Sequence, residues 1–187
     1  MIQEKDQMIG RIDVEDLGKP LALRLAVMVQ TWLVSYREFA PWADAIIERL
    51  DAPPLWVLNL TTKRYVPDAV RVLREGGAAA RPEPGEPYPP GPWTDADEEV
   101  ACHLLRHERG EISWATFLRE AGNAADPDPC RRACEYFYGK LGDLEDADYA
   151  ADLAVAQRAD VASGFADVIA SVRDTYEYMR RFRSPRH

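Results

Sequence analysis

His103 and His107 stand four residues apart, as do Cys130 and Cys134, and both pairs fall in stretches that read as helix. That spacing puts two side chains on one helical face, so two such pairs on neighbouring helices could close a tetrahedral zinc site. Helical geometry argues against it. The inward side of the stretch after Thr94 centres on Ala101, Leu104 and Asp97, which leaves His103 far round the wheel and His107 at its edge. Cys130 and Cys134 share a stripe with Phe137 and Leu141, where thiols behave as small hydrophobes. The expectation is core cysteines, solvated histidines, no metal and no cofactor.

Carboxylates offer a second chemistry. Asp126-Pro127-Asp128-Pro129-Cys130 has Arg131 where a calcium loop needs glycine and Phe137 where it needs its last glutamate, so it is not an EF-hand. A divalent-metal hydrolase built on helices would need carboxylates from two or more inward faces. Glu98 with Glu99, Asp44 with Glu48, and Asp148 with Asp152 are of the right type, although such neighbours on one helix are ordinarily a solvated face. There is no Gly-x-Gly-x-x-Gly, phosphate loop, Gly-x-Ser-x-Gly or His-Glu-x-x-His.

Charge then becomes the main functional cue. The chain has 187 residues and carries 32 Asp plus Glu against 23 Lys plus Arg, a net charge of −9 that disfavours a generic nucleic-acid binder. Arg180, Arg181, Arg183 and Arg186 form a basic tail, whose first explanation is the dipole at a helix C-terminus. The acidic runs Asp95, Asp97, Glu98, Glu99 and Asp143, Glu145, Asp146, Asp148, with Tyr88 and Trp93 beside the proline stretch, are the candidate partner-binding residues. The expected partner is a basic protein, with no membrane and no nucleic acid. An immunity protein or antitoxin that neutralises a cationic effector is the concrete version, because complementary charge speeds such an encounter. The carboxylate hydrolase is the alternative. No basic segment precedes an apolar one at the start, and three cysteines make no disulfide framework, so a reduced cytoplasm is expected.

The elements that must position these groups read as helices in one irregular all-α bundle. Residues 1–19 give little period; Ile9, Ile12, Val14 and Leu17 suit an extended segment or a docked arm. Leu21 to Phe39 is apolar nearly all round and predicts the central helix, with Trp32 in the core and a break or kink at Pro41. Trp42 to Leu50 follows, and Leu55 to Leu60 reads as strand or short helix, with Pro54 favouring helix. Pro67 opens a helix that Gly76-Gly77 closes.

Residues 76–93 hold six prolines and four glycines and predict an extended connector between helical halves 20–75 and 94–184. Thr94 and Ser113 are caps, with Gly110 and Gly122 as stops. Asp128-Pro129 starts another helix, and Gly139 and Gly142 mark the turn after it. Val161, Phe165, Val168, Val172, Tyr176 and Met179 then form one amphipathic stripe. A continuous C-terminal helix over 147–182 would be about 54 Å long, with Ser163-Gly164 as a possible kink.

Overall fold

The structure, a computed structural model, describes Leu17 and residues 19–79 and 93–182. Those residues form nine helices and no strand, the expected all-α bundle. They are α1 (Lys19–Gln30), α2 (Tyr36–Arg49), α3 (Leu55–Leu60), α4 (Val66–Ala79), α5 (Asp95–Glu108), α6 (Trp114–Ala125), α7 (Cys134–Asp146), α8 (Ala151–Gly164) and α9 (Ala166–Arg180). Ala22, Leu25, Ala26, Val27, Met28 and Val29 are wholly enclosed, so α1 buries nearly its full circumference. It packs most extensively on α4, and α5 and α9 join the two sides of the connector into one hydrophobic core. None of the helices among the described residues is long and apolar enough to cross a membrane.

The first break falls earlier than periodicity predicts. α1 stops at Gln30, and Ser35 starts α2 through a capping box with Glu38, whose Oε2 accepts from the Ser35 amide at 2.9 Å. Pro41 lies inside α2 and does not end it. Trp32 sits in this junction at φ +63° and is 63% exposed, which overturns its assignment to the core. Trp56 is buried as expected, stacked on Trp42 with ring centroids 5.8 Å apart.

Three glycines predicted to end helices instead lie within them. A Cβ on Gly76 would come within 2.5 Å of Trp56 Cβ on α3, and one on Gly77 within 2.6 Å of Leu23 Cδ2 on α1. Gly122 is likewise inside α6, with Tyr138 Cε1 of α7 2.5 Å from where its Cβ would be. These positions let helices approach closely. Gly110, at φ +73°, does terminate its helix, and the Thr94 and Ser113 caps form as read.

α7 begins at Cys134, not after Asp128-Pro129, and runs through Gly139 and Gly142. The backbone there is engaged elsewhere: Thr94 Oγ1 donates to the Pro129 carbonyl at 2.6 Å, and the Arg131 amide donates to Asp97 Oδ1 at 2.9 Å. The predicted C-terminal helix is two, parted at Phe165 with φ −120° and ψ 17°. Every member of its stripe is nevertheless buried. Of the N-terminal arm, Leu17 is enclosed in the core, while Ile9, Ile12 and Val14 lie outside the described residues. The prolines of the connector and Tyr88 lie outside them as well, as do Arg183 and Arg186.

Candidate functional site

The two acidic runs have opposite fates. At the start of α5, Asp97 and Glu98 are only 3% and 8% exposed. Asp97 closes the capping box with Thr94 and holds the turn before α7 through the Arg131 amide, with the Cys130 thiol donating to the same oxygen at 3.4 Å. Glu98 accepts from Arg24 Nε at 2.8 Å and from the Trp93 indole at 3.1 Å. Burial pushes the Glu98 carboxyl above its ordinary value, against the opposing pull of Arg24.

The half-buried Asp95 and Glu99 belong to a chain of contacts across three helices. Arg74 donates to Asp95 at 3.0 Å and to Gln30 at 3.2 Å, and the Gln30 amide donates to Glu99 at 3.1 Å. Burial raises Glu99 as well. Asp95, Glu98 and Glu99 therefore tie α1, α4 and α5 together while Asp97 ties α5 to the turn before α7, so these carboxylates are engaged within the fold. Trp93 pins the end of the connector to the body.

The second run is in solvent. Asp143, Glu145, Asp146 and Asp148 are all exposed, and no ion pair among the described residues engages them. The position is unfavourable for Asp143, Glu145 and Asp146. They occupy the last turn of α7, which has no basic residue, where the negative end of the helix dipole disfavours them.

The turn beyond is also costly. Asp148 and Tyr149 are consecutive left-handed residues, at φ +48° and +57°, and neither is glycine. Tyr149 donates its amide to Leu144 O at 2.8 Å, closing the turn above the buried Leu144 side chain. The result is a hydrogen-bonded corner that displays a tyrosine 56% exposed directly after four carboxylates, with Val155 57% exposed on the following helix.

The remaining candidates do not converge on chemistry. His103 is buried, not solvated as expected, because α5 is covered by α1, α6 and α9 and keeps little of its circumference in water. Burial lowers its pKa to about 4, helped by Arg106. His107 Nδ1 lies 3.0 Å from the Ile112 carbonyl, and its ring sits against Trp114. Cys102 is buried, whereas Cys130 and Cys134 are half-buried and Cys130 is pushed up to about 11, chiefly by burial. Among the described residues, no group of three or more His, Cys, Asp or Glu side chains is arranged to hold a metal ion. Asp44, Glu48 and Asp152 are exposed.

What sequence reasoning missed is Tyr149. Its only advance signal was its place directly after the acidic run. No protein-family model, no curated protein and no solved structure matches the chain.

Proposed function

We propose that this chain is a non-catalytic interaction module of the cytoplasm that binds a basic protein through the corner between α7 and α8. The single observation that supports the reading is the placing of Asp143, Glu145, Asp146 and Asp148 against stability. Acid at a helix C-terminus costs about 0.3–1 kcal/mol per charge. Each left-handed non-glycine residue costs about 1–3 kcal/mol. Features that oppose folding, gathered around one exposed aromatic, fit a surface kept for recognition.

The concrete version is an immunity protein or antitoxin of bacterial type neutralising a cationic effector. The alternative, a carboxylate hydrolase, requires convergent inward carboxylates, and no observation favours it among the described residues.

Affinity capture from the native cell, run in parallel with wild type and with D143N/E145Q/D146N/D148N and read by mass spectrometry, tests the proposal. A basic protein retained by the wild type and lost from the variant is expected. A specific partner that is acidic, or one retained equally by both baits, would overturn it.

A further inference from the structure

A separate concave surface lies where the end of α1 meets α5 and α6, a cleft of about 450 Å³ lined in part by Gln30, Trp32, Glu99, His103, Arg106 and Glu120. Its volume suits a small ligand. Trp32 is the odd member. Its amide donates to Val29 O at 3.1 Å, as the residue after a helix C-cap does, and the Val34 amide returns to Met28 O at 3.0 Å. The left-handed residue of such a terminus is ordinarily glycine. An indole there, at φ +63° and 63% exposed, strains the backbone and adds little to the core.

The charges around it do not balance. Arg106 is occupied, donating to the Thr31 carbonyl at 2.9 Å and to Glu111 at 3.3 Å. Among the described residues neither Glu99 nor Glu120 has a direct ion pair; Glu99 accepts from the Gln30 amide, and Arg74 acts on it across that residue. His103 is 8% exposed, and its Nδ1 is enclosed without a hydrogen-bond partner among the described residues. A ring so placed stays neutral at ordinary pH and supplies no positive charge. An anion would meet two carboxylates, and a neutral polyol would leave both uncompensated. An aromatic face beside carboxylates that lack a direct ion pair among the described residues is the recognition chemistry of an ammonium or guanidinium group.

We propose that this cleft binds an organic cation, with the Trp32 indole as its platform and Glu99 and Glu120 as its counter-charges. The cation can be a free small molecule or a basic side chain presented by another chain, and the two are separable. The proposal does not depend on the acidic corner of α7 and α8.

Isothermal titration of the intact protein with agmatine, with a capped Gly-Arg-Gly peptide and with glucose tests it. Saturable binding of agmatine or of the peptide is expected, with none for glucose. Preference for agmatine marks a free cation, and preference for the peptide marks a side chain. Trp32→Gly should weaken binding about tenfold, and Glu120→Gln should weaken it in the same direction. Glycine fits the left-handed backbone, so the unfolding temperature of Trp32→Gly should not fall; this separates lost recognition from lost folding. Absence of saturable binding by both cations at millimolar concentration, equal binding of glucose, or affinity unchanged in Trp32→Gly would overturn the proposal.

Discussion

At the scale of single residues, His103 carries the clearest pH signature. Its ordinary pKa of 6.5 falls to about 4 in the folded chain, because burial penalises the imidazolium and Arg106 repels it. Between those values the unfolded chain binds a proton that the folded chain does not. Stability is therefore present above 6.5 and is lost as the pH falls toward 4, by about 2 kcal/mol at pH 5. Glu98 and Glu99 act with the opposite sign, since burial raises them above 4.5 and the folded chain takes up their protons first. Urea unfolding at pH 7 and pH 5 should show wild type losing stability on acidification and His103→Gln losing less. Equal pH slopes in the two proteins would contradict this assignment. The burial of His103 was not legible in sequence, because one helical wheel shows a single inward side while α5 is covered by three neighbouring helices.

At the scale of elements, the Thr94 and Ser113 caps and the Gly110 stop could be read, whereas the Asp128 start and the other glycine stops could not. Thr94 and Ser113 act within their own first turn, so their partners Asp97 and Thr116 are already present in the local sequence. Gly76 and Gly122 owe their place to Trp56 and Tyr138, residues on other helices that only packing brings near. The same glycine can thus be a stop or a contact, and periodicity does not distinguish them. The contrast is testable within one protein. Gly76→Ala forces a methyl to 2.5 Å from the Trp56 side chain, at its rigid Cβ and Cγ, and should destabilise by about 1–3 kcal/mol. Gly139 and Gly142 are helical too, but among the described residues no atom outside the local helix backbone lies within 4 Å of an added Cβ. Alanine there should stabilise by about 0.5–1 kcal/mol. Thermal unfolding of the three variants checks this, and a stabilised Gly76→Ala would show that α3 and α4 are not in close contact.

For the whole molecule, the net charge of −9 conceals two kinds of acid. Asp95, Asp97, Glu98 and Glu99 hold helices together through residues far along the chain, among them Arg24, Arg74 and Arg131. Those partners were invisible to a reading of neighbours, so the engagement of this run within the fold was not legible. The all-α class and the exposure of the second run followed from local pattern; the corner that displays Tyr149 did not, because its two left-handed residues carry no glycine signal. Neutralising Asp143, Glu145, Asp146 and Asp148 removes charge that opposes the α7 dipole and should leave the protein at least as stable as wild type. Complementary charge acts chiefly on the rate of encounter, and salt screens it. The most direct test is therefore the association rate of the captured partner with wild type and with D143N/E145Q/D146N/D148N across a series of salt concentrations. The account predicts a wild-type rate that falls steeply with salt and a slower variant rate that barely changes; equal rates for the two proteins, or a wild-type rate indifferent to salt, would contradict it.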